Sequence, residues 1–259
     1  EWGTACGKHR LASPTFRSNK WGARAGTKGP VDLSPPERRT QKPEPTNMSQ
    51  AARFHMIDSQ IRPSDVTDVR ILAALGTVAR ENFVPRAARA LAYADVSVEV
   101  APGRFLMEPR CFAKLLQLAA ITADDRILDV GCATGYSAAV LARLGATVVA
   151  LEQDADLLRI ASEGLSATPI VLVQGALIEG AKAEGPFDVI VVEGAIEQVP
   201  ETLLSQLAEG GRLVAVMNDG PQGKATLFLK ENGGIGRRAV FDAAVPVLAG
   251  FKKMMGFVF

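Results

Sequence analysis

Between Arg126 and Met217 the chain alternates short, nearly continuous runs of Val, Ile and Leu with longer stretches patterned for helices. That alternation constrains the fold more than any other feature. A strand that is apolar along its whole length has both faces buried, which requires a parallel sheet covered by helices on both sides. The runs are Arg126–Val130, Thr147–Leu151, Ile170–Val173, Phe187–Val192 and Arg212–Met217. Helices are expected from about Tyr136 to Leu144, Ala155 to Leu165 and Pro200 to Ala208, the last leading through Gly210-Gly211 into the fifth strand. Ala225–Lys230, the turn-rich Asn232-Gly233-Gly234 and Arg238–Val247 then read as two strands paired in a hairpin, adding an antiparallel member at one edge. The expectation is an α/β domain over residues 123–259 with a seven-stranded, mostly parallel sheet.

Two stretches of different character precede it. Residues 1–47 lack hydrophobic periodicity, hold both tryptophans and six of the fifteen prolines, and carry nine Lys/Arg against four Asp/Glu. Such a segment cannot bury enough apolar surface to offset the entropy of ordering it. It is expected to be a disordered basic tail and, since Met48 is the first methionine, sequence upstream of the true start. A transit segment and a nucleic-acid-binding arm are the alternatives. From residue 48 to 122 the pattern turns helical. Met56, Ile57 and Ile61 share a face up to Pro63, and Ser64 or Asp65 can cap a second helix with Val69, Leu72, Ala73, Leu75 and Val78 as its stripe. Val96–Val100 alternates like a short strand, Ala101-Pro102-Gly103 turns, and Pro109 opens a third helix carrying Leu115, Leu116 and Leu118. This block has no evident core of its own and reads as a cap, mainly helical, lying against the sheet domain.

Composition removes several classes of function. With the basic tail set aside, a formal net charge of +1 leaves a mildly acidic remainder, so nucleic acid is not expected as a partner. The three cysteines (Cys6, Cys111, Cys132) and two histidines (His9, His55) show neither metal nor disulfide spacing. No apolar run reaches the roughly 18 to 20 residues of a membrane span, because Arg143 and Gly145 interrupt the best candidate. A cytoplasmic monomer with no metal and no membrane partner is the expectation.

The chemistry concentrates on the turn Asp129-Val130-Gly131-Cys132-Ala133-Thr134-Gly135-Tyr136 and on Glu152. A strand, a small-residue turn and a helix start form the place where an open α/β sheet binds a nucleoside-containing cofactor. A dinucleotide cradle, G-x-G-x-x-G, would need glycine where Tyr136 stands. The spacing fits instead the acidic-x-G-x-G-x-G form of class I methyltransferases, with Asp129, Gly131, Ala133 at the middle glycine, and Gly135; S-adenosylmethionine is the cofactor this implies. Glycines there let the backbone approach a ligand near a helix N-terminus. Ala133 costs some room, and Cys132 reads as a small residue that packs. Glu152, 21 residues after Gly131, can accept hydrogen bonds from both ribose hydroxyls. Gly175 and Ala176 after the third sheet strand, and Glu193 after the fourth, belong to the same crevice by topology. A nicotinamide site and a turn that has lost its ligand are the alternatives. His55 reads as structural, and Asp188 either orients the loop or caps its strand.

Met56–Ile61, Arg80-Glu81-Asn82-Phe83-Val84-Pro85, Ala92-Tyr93-Ala94-Asp95, Gly135-Tyr136 with Ala138–Ala142, Pro186-Phe187-Asp188, and Gln206-Leu207 with Gly210–Val214 form a set of matching stretches. Through them the chain from about Met56 to Leu248 resembles the protein-L-isoaspartate O-methyltransferase family. Arg80–Pro85 is the most diagnostic, because it lies in the cap and not in the general fold. The resemblance implies a Rossmann-like class I methyltransferase fold, helices on both faces of the sheet and a helical cap at its N-terminal side. It also implies a cytosolic repair enzyme that methylates the α-carboxylate of L-isoaspartyl residues in damaged proteins. Family members hold that carboxylate partly through a hydroxyl-bearing segment of the type T-I-S-Q-P, which here reads Phe105-Leu106-Met107-Glu108-Pro109. Met107, at the serine position, and Glu108, at the glutamine position, are therefore the candidate residues beside the reaction. Met107 cannot donate a hydrogen bond, and an ionised Glu108 would repel a carboxylate. Ser59 and Gln60 stand where the family's cap approaches substrate. Three readings follow: isoaspartyl methylation with backbone amides doing the holding, a divergent methyltransferase with another acceptor, or a cofactor binder with little catalysis.

Overall fold

A computed structural model describes residues 45–252, and the expectation for the basic tail lies outside the described residues up to residue 44. Helix α1 (Pro45–Met56) begins three residues before Met48, so the boundary expected between residues 47 and 48 falls inside a helix. Proline at the first helical position explains the start, since its missing amide would have no partner there. The chain continues as a π-helical turn, Ile57–Ile61, and a short 3-10 turn, Arg62–Ser64. Helix α2 (Val69–Thr77) is capped by Asp68, whose carboxylate accepts the Arg70 amide at 2.8 Å. Ser64 and Asp65 do not cap it. The Ser64 hydroxyl donates back to the Gln60 carbonyl, and Asp65 ends the preceding turn with φ 65°. The buried stripe of α2 is Ile71, Leu72, Ala74 and Leu75, while Val69 is 71% exposed.

Strands β1 (Val98–Ala101) and β2 (Arg104–Leu106) pair as an antiparallel hairpin in which Val98 faces Leu106 and Ala101 faces Arg104. The second strand was not anticipated from the sequence, being only three residues long. Alternation puts Arg104 and Leu106 inside, with Phe105 between them half-buried. Helix α3 (Pro109–Ala119) then buries Cys111, Phe112, Leu115 and Leu116.

The main sheet comprises β3 (Arg126–Val130), β4 (Thr147–Glu152), β5 (Ile170–Gln174), β6 (Phe187–Ile196), β7 (Leu207–Met217), β8 (Lys224–Glu231) and β9 (Gly234–Asp242). Their order is β5-β4-β3-β6-β7-β8-β9, with the first five parallel and β8 antiparallel to both neighbours. Helix α4 (Tyr136–Arg143) follows β3, and α5 (Ala155–Gly164) follows β4. Helix α6 (Glu201–Ser205) is shorter than expected because β7 starts early. Leu207 already pairs with Phe187, and the Gly210-Gly211 step is absorbed as an irregularity before Arg212 pairs with Val189. The last strand also ends sooner than expected, at Asp242, and the segment after it crosses back to β6.

Alternate residues of the parallel strands feed two cores. Ile127, Val148, Ala150, Val189, Val191 and Val214 face α2, α3, α4 and α5. Leu128, Val130, Val149, Leu151, Ile190 and Val192 face Leu177, Leu203, Leu248 and Phe251 on the other side. Leu115 and Leu116 of α3 belong to the first core, so cap and sheet share one apolar interior. Among the described residues, no helix is long and apolar enough to cross a membrane.

Candidate active site

From β3 the sheet grows in two directions, through β4 and β5 on one side and β6 and β7 on the other. The carboxyl ends of β3 and β6 therefore flank a topological switch point, where open α/β sheets bind ligands. After Val130 the chain turns through Gly131 at φ 84°, and the Gly131 and Cys132 amides donate to the Leu151 carbonyl at 2.9 and 3.2 Å. A Cβ at Gly131 would meet the Leu248 methyls at 3.2 and 3.3 Å and the Arg104 guanidinium at 3.5 Å. Gly135 (φ 93°) serves packing: a Cβ there would lie 2.8 Å from Leu165 and 3.2 Å from Ala161, so its absence lets α4 start against α5. Ala133, between them, is held at φ 50°, a left-handed conformation that costs an alanine about 1–2 kcal/mol.

Glu152 closes β4 fully buried and saturated with hydrogen bonds. Its Oε1 and Oε2 accept Arg104 Nη1 and Nη2 at 2.6 and 2.7 Å. Oε2 also accepts the Ala133 amide at 2.9 Å, and Oε1 accepts those of Gln153 and Asp154 at 2.8 and 3.0 Å. A carboxylate offers about four lone-pair sites, and all are in use. Arg104 was not among the residues anticipated. An arginine alternating with Leu106 on the inner face of a strand could have signalled it, because a buried cation demands a buried carboxylate.

Arg80, only 1% exposed, explains why the Arg80–Pro85 stretch is so characteristic. Its Nη2 donates to the Met107 carbonyl at 2.7 Å, and its guanidinium lies 4.7 Å from the Tyr136 ring centroid. The rings of Phe83 and Phe112 stand 5.7 and 5.8 Å from that same ring. Burial draws the guanidinium pKa below its ordinary value. Thr134 Oγ1 donates to the Phe83 carbonyl at 2.6 Å, tying the small-residue turn to the cap.

Three further carboxyls were anticipated here. Asp129 faces α4, accepts Ser137 Oγ at 2.7 Å and leaves Oδ1 without a partner. Burial pushes its pKa up to about 7, against the Ser137 hydrogen bond and helped by the Glu152 charge. Glu193 on β6 is raised well above the usual carboxylate range by burial, then by Asp129, with Arg80 opposing. It makes no ion pair with Arg80, and its Oε1 has no partner. Glu108 is placed away from the others. Standing immediately before α3, it lines a separate groove with Arg110, Lys114, Phe241 and Asp242, so its assignment beside the reaction is not supported by position. Burial, then Asp95, raises its pKa, with Arg110 opposing.

Two adjoining cavities meet at Phe105, Met107 and Glu193. Each is only about 10 Å³; one is bounded also by Arg80, Gly131 and Tyr136, the other by Gly103, Gly194 and Leu248. Leu248 is pinned over Gly131 because its amide donates to the Ala195 carbonyl at 2.8 Å. Thus Met107, Gly131, Cys132 and Glu193 line the cleft, with Ala133 and Glu152 beneath it. Gly175 and Ala176 do not line it: the Gly175 amide donates to the Glu152 carbonyl at 3.1 Å, and Ala176 starts a 3-10 turn. Cys132 is buried, and burial raises its thiol well above the ordinary value, which disfavours the thiolate. Ser59 bonds back to His55 on its own helix, and Gln60 donates to the Tyr93 carbonyl at 3.0 Å. Asp188 accepts the Arg126 amide at 2.8 Å and so anchors the start of β3.

A sheet of this order, with a tight small-residue turn after its central strand and a carboxylate closing the next, defines an α/β protein of the class I methyltransferase type. The family model of protein-L-isoaspartate(D-aspartate) O-methyltransferase matches residues 51–245, and the chain belongs to that family. The protein-L-isoaspartate O-methyltransferases of Koribacter versatilis and Methylorubrum populi are 37% and 39% identical over 193 and 183 residues. Those matches cover 73% and 70% of this chain and 86% and 85% of theirs. A solved protein-L-isoaspartate O-methyltransferase superposes with a TM-score of 0.67 at 24% identity, over 78% of this chain and 66% of that one. A Plasmodium falciparum structure, described as a complex with S-adenosyl-L-homocysteine, gives 0.66 at 20% identity over 77% and 97%. At those identities the two structures speak for the fold.

Proposed function

We propose that this protein transfers a methyl group from S-adenosylmethionine to the α-carboxylate of L-isoaspartyl residues in damaged proteins, the opening step of their repair. The observation that carries this reading is the family match across cap and sheet alike, residues 51–245. The residue types at the switch point are those such a cofactor calls for. Glu152 is the carboxylate for a ribose diol, although Arg104 and three backbone amides hold it in this structure, Gly131 gives a backbone without a side chain, and Cys132, Ala133 and Gly135 form a narrow turn, which Asp129 braces through Ser137. Glu193 forms the far wall of the cleft.

The cofactor supplies a methyl group already activated on a sulfonium, and a carboxylate is already a nucleophile, so no general base is required. What the chain must do is align the acceptor and exclude water. Phe105, Met107 and Leu248 wall the cleft with apolar surface, and Arg80 holds the Met107 backbone in place. The raised pKa of Glu193 favours its neutral form, which does not repel an incoming carboxylate. In this reading residues 48–122 form a cap on the methyltransferase domain 123–259, and the enzyme works as a monomer in the cytoplasm.

The test is incubation with methyl-tritiated cofactor and an isoaspartyl peptide, followed by base; volatile labelled methanol is expected. A second reading, methylation of a different carboxylate, draws on Phe105 and Met107 standing where the family carries hydroxyls. Label appearing only on other acids would favour it and defeat the first.

A further inference from the structure

Seven buried side-chain polar atoms lack a hydrogen-bond partner among the described residues, and three of them belong to side chains that line one cavity. They are Arg80 Nε, from the turn Arg80–Asn82, the Tyr136 hydroxyl, from the first residue of α4, and Glu193 Oε1, from β6. The three residues are 1%, 2% and 8% exposed, so none of these atoms can turn to bulk water. A buried donor or acceptor without a partner is costly enough that native proteins seldom keep one, and here three converge. They are also near enough to act on each other. Burial raises the pKa of Tyr136 and of Glu193, and the Arg80 charge opposes it at both. Yet no hydrogen bond joins any two of the three side chains.

The cavity between them measures about 10 Å³, room for one water molecule and nothing larger. Its walls also select for water. Arg80 Nε needs an acceptor, which excludes a cation, and an ionised Glu193 needs a donor, which excludes a halide. Water accepts and donates at once, and it serves Glu193 Oε1 whether or not that carboxyl is protonated, while the Tyr136 hydroxyl rotates to suit. We infer that this cavity is the binding site of one structural water molecule, which accepts from Arg80 Nε and bridges to the Tyr136 hydroxyl and Glu193 Oε1. Three such contacts are the usual complement of a buried water. The adjoining cavity is of the same size, but among its described lining residues Glu193 is the one polar side chain, so it offers no comparable site. Arg80 Nη2 already donates to the Met107 carbonyl. The water therefore links the cap, α4 and β6 into a single polar network, and it steadies the guanidinium that positions the Met107 backbone beside the cleft.

A crystal structure of the full chain, at a resolution that shows ordered water, should place one water at about 2.7–3.2 Å from Arg80 Nε, the Tyr136 hydroxyl and Glu193 Oε1. A double-mutant cycle in urea unfolding gives an independent readout. Tyr136→Phe and Glu193→Met each remove one contact and nearly keep the shape of the cavity. The two side chains share no direct hydrogen bond, so the bridge is what couples them. The effect of the double variant on the unfolding constant should differ from the product of the single effects by about threefold or more. A structure with no water in the cavity, or with the three side chains hydrogen-bonded directly to one another, overturns the site. Agreement with the product within about twofold overturns the bridge between Tyr136 and Glu193. The structural measurement uses the unsubstituted protein, so it decides even where a variant fails to fold.

Discussion

Ala133 is the residue at which sequence and backbone disagree most plainly. The turn demands a left-handed conformation there, and alanine supplies it only at a cost. Ala133→Gly should stabilise the protein by up to about 1 kcal/mol, part of the relief being offset by glycine's greater freedom in the unfolded chain. Urea unfolding monitored by circular dichroism would show it, and a loss of stability would mean that the methyl group packs better than its φ suggests. Arg80 is a different case, a buried charged residue held by the Met107 carbonyl and the Tyr136 ring while its Nε has no partner. Arg80→Ala should cost about 3 kcal/mol, because it frees the Met107 carbonyl and opens a hole beside Tyr136. Arg80→Lys should recover little, since an ammonium has no planar face to lay on the ring. Full recovery by lysine in the same urea experiment would reduce Arg80 to a point charge.

At the level of elements, the junction between β3 and α4 is held by a carboxyl that burial has made a weak acid. Asp129 braces α4 through Ser137, with a folded pKa of about 7 against 3.8 unperturbed. A carboxyl whose folded pKa is raised contributes stability at low pH, and that stability is lost as pH rises from about 4 through about 7. Asp129→Asn keeps an acceptor for Ser137 and removes the charge. It should therefore melt about 5 °C above the unsubstituted protein at pH 8, the gap closing below pH 4. Melting curves across pH decide the matter; a gap independent of pH would remove the titration of Asp129 as its cause. The start of α4 depends on a packing restriction as well. Gly135→Ala should destabilise by about 2 kcal/mol or more, through both its φ of 93° and the 2.8 Å approach to Leu165. Wild-type stability in that variant would show that α5 can shift to make room.

Over the whole molecule, the apolar interior that runs from α2 and α3 into α4 and the sheet makes cap and sheet one cooperative unit. Calorimetry should accordingly give one transition with equal calorimetric and van't Hoff enthalpies. Phe112→Ala, at the α3–α4 contact, should lower its midpoint and not split it, at a cost of about 3–5 kcal/mol. Two separated transitions in the variant would mean that the cap melts alone. The sequence was legible at this scale for a physical reason. Strands buried on both faces spell continuous Val/Ile/Leu runs, so β3 to β7 could be read off almost to the residue. The exceptions are the end of β6, the early start of β7 and the three-residue β2, where pairing with a neighbour and not local pattern sets the boundary.

The same division runs through the candidate site. Sequence by itself determined the turn from Asp129 to Gly135, the carboxylate at Glu152 and the apolar segment at Phe105 to Met107, because each is a local pattern of residue types along one strand or loop. Only the tertiary structure decided what those residues touch. Arg104 meets Glu152 across 48 residues of chain, and Thr134 meets the Phe83 carbonyl across 51. Such contacts leave no periodicity to read, since burial of a cation and the carboxylate that answers it are settled together when the hairpin closes on the sheet.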